Sequence, residues 1–309
     1  MSNFVAILGS TGMLGSVVTD YLARDGSLAI IGTVRSPYLL DQCRSRLPGV
    51  NWRLFDCCDE RTWDALEDVD WIVNAIGITK PLIHDDRPSE VERALRVNSL
   101  FPQRLGEWAA QRGSRVLQIA TDCVYAGAKG RYVETDAHDA LDVYGKTKSL
   151  GETWYASAHH LRCSIIGREF KDRKFLVEWF LGQPGGAQIN GYTNHCWNGI
   201  TTLQFARICY GVITNNLTLP HLQHIVPADA MTKADMLRTF AAAYRRDDVQ
   251  IRRVEAASVI DRTLDTCDAS LNSLLWSSAG YDRPPSVAEM IFEMARYECR
   301  LHMQPVTDG

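Results

Sequence analysis

The stretch Phe4–Leu22, FVAILGSTGMLGSVVTDYL, decides the fold class. Phe4–Leu8 is a short continuous apolar run, as expected of a strand buried on both faces, and Met13–Leu22 carries apolar residues at helical spacing. Between them lies Gly9-Ser-Thr-Gly12-Met-Leu-Gly15. Glycines in a strand-to-helix turn let the backbone approach a pyrophosphate, whose charge is favoured by the free N–H groups and dipole of the helix N-terminus. Gly9, Thr11, Gly12, Met13, Leu14 and Gly15 are therefore expected to hold a dinucleotide.

Further along, the same alternation repeats. Leu28–Val34 is a second strand, followed by Arg35 and Ser36; an arginine at this strand end accommodates a ribose 2′-phosphate, which favours NADPH and leaves NADH possible. Trp52–Phe55 is a third strand, ending at Asp56, which either binds the adenine amine or caps a helix over Glu60–Leu66. Cys57 and Cys58 read as small buried residues. A fourth strand, Trp71–Ala75, leads through Ala75 and Gly77 past the cofactor into a loop that carries His84. Ser89-x-x-Glu92 has capping-box spacing and opens a helix through Val97, kinked at Pro102. Asn98 sits inside that helix, turned outward or bonded inward near the site. Gly113 ends the helix, and Val116–Ala120 is a fifth strand that delivers Thr121. Strands alternating with helices imply a doubly wound parallel α/β sheet whose ligand crevice lies at the carboxyl ends of the strands.

Thr121–Lys148 carries the chemistry. Tyr144 and Lys148 are four apart, so on a helix they share a face. That helix is expected to run to about His159, with His159 and His160 at a solvated end and a sixth strand over Cys163–Ile166. Beyond residue 167 the alternation fades. The expected organisation is a dinucleotide-binding domain over 1–167, joined by parts of 200–228, and a smaller mixed lobe over 168–309.

Composition narrows the function classes. The 309 residues are 46% hydrophobic with a formal net charge of -4, and no like-charge block is present, so neither nucleic acid nor a membrane surface is an expected partner. Nine scattered cysteines without a Cys-x-x-Cys pair fit neither a disulfide framework nor a zinc site, and a reducing cytoplasm suits them. No metal is assigned. No apolar run approaches the roughly 20 residues of a membrane span, and the first strand leaves no room for a cleavable leader.

These motifs carry a resemblance. GSTGMLG has the G-x-x-G-x-x-G spacing of short-chain dehydrogenase/reductases. With NAIG at 74–77, VNSLFP at 97–102, TDCVYAG at 121–127 and YVETDAHDALDVYGKTKSLGE at 132–152, the chain resembles the extended members of that family, and within them the dTDP-4-dehydrorhamnose reductase-like nucleotide-sugar ketoreductases. The likeness is strong over the first half; NGITT at 198–202 and DRTLD at 261–265 extend it loosely. It implies a Rossmann-type domain, a nucleotide-sugar substrate, a possible homodimer, and a catalytic trio of Thr121 on the carbonyl, Tyr144 as proton donor and Lys148 as the cation that brings the phenol toward its working range and holds the ribose.

The resemblance also places Asp122 and Cys123 beside the substrate. The related dehydratases carry Asp-Glu after this threonine, so Thr-Asp-Cys disfavours dehydration. A cysteine here is either an inert pocket residue or, as in GDP-fucose synthase-like enzymes, one partner of a Cys–His pair that epimerises before reduction, a 3,5-epimerase/4-reductase. His195, Trp197 and Asn198 are candidates for the sugar or base, Arg262 for the diphosphate. A non-catalytic regulatory subunit, like the β-subunit of methionine adenosyltransferase, shares the YGKTK phrase.

Overall fold

The computed structural model describes residues 3–169 and 174–302. In chain order, β1 (Phe4–Leu8), α1 (Met13–Leu22), β2 (Ala29–Val34), α2 (Pro37–Arg46), β3 (Asn51–Leu54) and β4 (Trp71–Asn74) are followed by α3 (Pro88–Ala94), α4 (Phe101–Arg112), β5 (Arg115–Thr121), α5 (Val143–Leu150) and β6 (Ala158–Cys163). Then come β7 (Ile165–Ile166), α6 (Leu176–Leu181), β8 (Gln188–Tyr192), β9 (His195–Trp197), β10 (Ile200–Thr201), α7 (Thr202–Thr214) and β11 (Leu222–His224). The last elements are β12 (Met231–Thr232), α8 (Lys233–Tyr244), β13 (Gln250–Val254), β14 (Ile260–Asp261), α9 (Ala269–Ser278) and α10 (Val287–Arg296).

Seven strands form one parallel sheet in the order β11-β6-β5-β4-β1-β2-β3. In β1, Val5 and Ile7 pack into the core with α1 and α7, while Ala6 and Leu8 point into a second core with Phe55, Trp63 and Phe101. Alternate residues of one strand are thus buried on opposite faces, the signature of a doubly wound Rossmann-type sheet. The order reverses between β1 and β4, and at such a switch point a crevice opens outside the strand ends. Outside this sheet, β8 pairs with β13, and β9 lies between β12 and β14.

Several local expectations are corrected. Helix α3 begins at Pro88 with Arg87 in the capping position and no side-chain cap, because a proline fits the first helical turn; the Ser89/Glu92 capping box does not form. The break near Pro102 is a π-helical segment, Leu95–Leu100, placed just before that proline. Helix α5 stops at Leu150, since Gly151 lies against the Asn98 carbonyl, which a Cβ would approach to 2.0 Å. His159 and His160 are therefore buried in β6, bonded to the carbonyls of Pro220 and Thr153, rather than at a solvated helix end. The sixth strand accordingly runs over Ala158–Cys163, so the expected Cys163–Ile166 takes in only its last residue and the separate short β7, Ile165–Ile166. The helix over Glu60–Leu66 is 3-10 and is capped by Asp59, not Asp56.

Candidate active site

The crevice is a cavity of about 510 Å³. One end is the turn after β1, where Thr11, Gly12, Met13 and Leu14 line it. Gly9 has φ 79°, a left-handed conformation suited to glycine, and Gly15 sits so close to the Gly9 carbonyl that a Cβ would come within 2.1 Å. The result is helix α1 pressed onto β1 with Gly12 at its cap, no side-chain cap and no acidic residue in its first turn. Backbone N–H groups left open in this way fit a phosphate-bearing ligand. Ala75 and Gly77 line the same end. Gly9 and Gly15 shape the turn without lining the cavity.

Asn98 takes the inward alternative. Its side chain accepts from Ile78 N–H at 2.8 Å and donates to Ile78 O at 2.9 Å and to Thr147 Oγ1 at 3.3 Å. It thereby ties the loop after β4 to α5, rather than touching the cavity. Arg35 is exposed at the end of β2 and has no ion-pair partner among the described residues. Ser36 occupies the cap position of α2 without a side-chain bond. Asp56 Oδ1 accepts from Cys58 N–H, closing its own turn. Asp56, Cys57 and Cys58, consecutive in sequence, also bring ligand-capable atoms within 4.8 Å of one another, and Cys57 is half-buried and Cys58 exposed rather than buried.

At the other end Thr121, Asp122, Cys123, Tyr144 and Lys148 converge. Asp142 caps α5 by accepting from Gly145 N–H at 2.8 Å and pairs with Lys80 at 2.8 Å. Gly145 lets the first turn of α5 rest on the Cys123 carbonyl, which a Cβ would meet at 2.5 Å. This close approach sets Tyr144 beside the end of β5. Thr121 Oγ1 donates to Asp122 Oδ1 at 3.3 Å and accepts from Cys123 N–H at 3.2 Å. Lys148 Nζ is buried and donates to Ile119 O at 3.0 Å.

Burial governs the titration of these groups. It lowers Lys148 to about 8, against the opposing pull of Glu152. It raises Tyr144 well above the ordinary phenol value, reinforced by Cys123 and opposed by the Thr121 hydroxyl. The expected lowering of the phenol by Lys148 does not appear: burial dominates, and the Tyr144 phenol is raised. Asp122 is raised by burial despite Arg262 and Lys233, and the Cys123 thiol is pushed up to about 12, first by burial and then by Asp122.

The more distant candidates divide. Trp197 lines the cavity and donates to Ser164 Oγ at 2.8 Å. His195 does not reach the cavity: its ring bonds Ser258 O at 3.0 Å and packs on Tyr192. Asn198 is consumed by both backbone groups of Leu264, and Arg262 Nε by the Tyr125 carbonyl at 2.8 Å. His84 pairs with Glu90 at 2.7 Å, away from the cavity. Sequence reading missed Lys233, which lines the cavity from the first turn of α8. In sequence it is one lysine at a helix start, with no motif around it.

A parallel doubly wound sheet, a glycine-turned first helix and a Thr/Tyr/Lys set at the strand ends define a protein of the short-chain dehydrogenase/reductase type. Residues 3–168 match the RmlD substrate binding domain model, and the chain belongs to that family. It is similar to dTDP-4-dehydrorhamnose reductase of Aggregatibacter actinomycetemcomitans, 42% identical over 82 residues, covering 26% of this chain and 27% of that protein. It is also similar to the enzyme of the same name from Mycolicibacterium smegmatis, 30% identical over 158 residues, covering 49% and 41%. The matched stretches thus span less than half the length of these relatives. Among solved structures, dTDP-4-dehydrorhamnose reductase from Bacillus anthracis in complex with NADP superposes with a TM-score of 0.71 at 16% identity, covering 95% of this chain and 99% of that one. The Yersinia enterocolitica enzyme gives 0.70 at 18%, covering 95% and 99%. At such identities the likeness establishes the fold.

Proposed function

We propose that this protein is an NADPH-dependent reductase of the keto group of a nucleotide-activated 4-keto-6-deoxysugar, of the dTDP-4-dehydrorhamnose reductase kind. The observation that carries the reading is the convergence of Thr121, Tyr144 and Lys148 on one cavity whose far end is the uncapped N-terminus of α1. NADPH suits that end: the turn Gly9–Gly15 takes the pyrophosphate, Arg35 and Ser36 take the 2′-phosphate, Asp56 borders the adenine, and Ala75 and Gly77 flank the nicotinamide half. A reduced nicotinamide bound there supplies a hydride to the keto carbon.

The chain's own residues supply the proton and the positioning. Reduction leaves an alkoxide that must be protonated, so the donor must carry its proton at working pH. Tyr144 meets that requirement because burial keeps its phenol neutral. Thr121 directs its hydroxyl to the carbonyl oxygen, and Lys148, anchored on the Ile119 carbonyl, holds ribose hydroxyls and offsets the negative charge that develops on the phenol oxygen. Asn98 and Gly151 fix the helix that bears both groups. Asp122, Cys123 and Trp197 border the sugar. The raised Cys123 thiol, and a cavity lining without histidine among the described residues, support reduction without epimerisation.

The division into a cofactor-binding domain of 1–167, completed from 200–228, and a substrate lobe from the rest of 168–309 follows from this reading. No helix among the described residues is long and apolar enough to cross a membrane, and we place the protein in the cytoplasm. Exposed Leu100, Leu150 and Trp154, around the contact of the π-helical segment with α5, offer a surface for a second copy. Following NADPH absorbance with a panel of nucleotide-4-keto-6-deoxysugars tests the activity: at least one should be reduced, and Tyr144→Phe should slow that turnover by about 10³-fold. Failure with every panel member would sink the proposal.

A further inference from the structure

Among the described residues three lysines reach the cavity, and they differ in what holds them. Lys80 is paired with Asp142, and Lys148 donates to the Ile119 carbonyl. Lys233 has neither kind of partner among the described residues: its ammonium contacts only Met236 Sδ at 4.0 Å and lies over the Trp197 ring at 5.6 Å. An ammonium carries three donors, and one partly withdrawn from water, as the half-buried Lys233 is, gains from an oxygen acceptor. Sulfur and an indole face are weak substitutes.

Its placement is built, not incidental. Strand β12 pairs antiparallel with β9 so that Met231 faces Trp197, and Thr232 caps α8 by accepting from Asp235 N–H. Gly191 of β8 leaves no room for a Cβ against Ala234, which seats the first turn of α8 on the neighbouring sheet. Trp197 and Lys233 therefore enter the cavity together. The charge of Lys233 is felt by Asp122 and Cys123, the two residues that follow Thr121, so it lies near the reacting end of the cavity.

We propose that Lys233 is a specificity-determining residue that binds the hexose ring of the nucleotide sugar, donating hydrogen bonds to oxygen substituents beside the ketone while Trp197 covers the apolar face of the ring. This rests on the ketoreductase reading and deepens it: the ammonium recognises the sugar, not the diphosphate. A charged donor meeting a hydroxyl without water is worth about 10- to 100-fold in affinity.

Calorimetry on the NADP⁺-loaded protein tests this, titrating dTDP, UDP and GDP, each alone and as its 6-deoxyhexose conjugate. In the wild type the sugar should raise affinity over the bare nucleotide by about tenfold or more. Lys233→Met should remove most of that increment while leaving the affinities for NADP⁺ and for the bare nucleotide unchanged; Lys233→Arg should keep part of it. Unaltered NADP⁺ binding and thermal unfolding show that the variant is folded. An increment that survives in Lys233→Met overturns the inference. So does an equal loss for bare nucleotide and conjugate, which would assign Lys233 to the diphosphate, and so does absence of binding by any conjugate. NADPH turnover separates the two readings. Wild-type turnover with an unchanged increment in Lys233→Met removes the inference alone, and a Lys233-dependent increment without turnover of any keto sugar removes the reductase alone.

Discussion

Two ammonium groups, Lys148 buried and Lys233 half-buried, face the same cavity, and they come from regions of very different character. Lys148 sits on α5, four residues after Tyr144, with a carbonyl partner and Glu152 nearby to support its charge. Lys233 sits on α8, more than a hundred residues after Asp122 and Cys123, with no oxygen partner among the described residues. Burial lowers the pKa of both. On the proposed reading, the first is held by the protein in advance and serves the chemistry, and the second is left for the substrate to complete. Preorganisation suits a group that must act identically on every turnover, whereas an unsatisfied donor makes binding depend on what the ligand offers.

The sharpest way to break this contrast is to remove each charge in turn. Lys148→Met should lower kcat/KM by about 10²- to 10⁴-fold and weaken NADPH binding as well, since the same ammonium supports the phenol and the ribose. Lys233→Met should leave NADPH affinity intact. Fluorescence titration of NADPH into both variants checks this, and equal cofactor losses would merge the two roles.

A smaller effect probes how Lys148 is held. In Gly151→Ala the new methyl meets the Asn98 carbonyl, so the end of α5 must shift. The expected cost is about 1–3 kcal/mol in denaturant unfolding, with the loss of activity exceeding any loss of affinity for the sugar. An unchanged midpoint would mean that the α5 contact is not holding the helix.

The smallest effect concerns pH. Lys148 is cationic in the free protein only below about 8, so kcat/KM, which reports the free enzyme, should fall as pH rises through that value. In Lys148→Arg the guanidinium stays charged, and the residual activity should lose this alkaline limb. A limb that persists unchanged in the arginine variant would assign it to another group.

Legibility in the sequence followed the range of the interactions. The strand, glycine turn and helix of Phe4–Leu22 are contiguous, and their bounds Phe4–Leu8 and Met13–Leu22 were readable from pattern alone. Tyr144 and Lys148 were readable because helix geometry converts a spacing of four into a shared face. The end of α5 was not, because it is fixed by Asn98, some fifty residues earlier. His159 and His160 looked like a helix terminus only until pairing with β5 and β11 was known. His195, Asn198 and Arg262 have suitable chemistry, but their hydrogen bonds are to the backbone of Ser258, Leu264 and Tyr125, partners invisible in local sequence. Lys233 is the converse: unremarkable in its own segment, and significant only through the pairing of β12 with β9.

The central claim, hydride delivery to a sugar ketone with Tyr144 donating the proton, is tested most directly by isotope transfer. The protein is incubated in ordinary water with NADPH deuterated at the transferable position and with a nucleotide-4-keto-6-deoxysugar that it consumes. The expected product carries one deuterium at the new carbinol carbon, and in the reverse labelling, with NADPH in D₂O, none enters the ring carbons beside it. Unlabelled product from deuterated NADPH, or no reduced sugar with any panel member, would contradict the account.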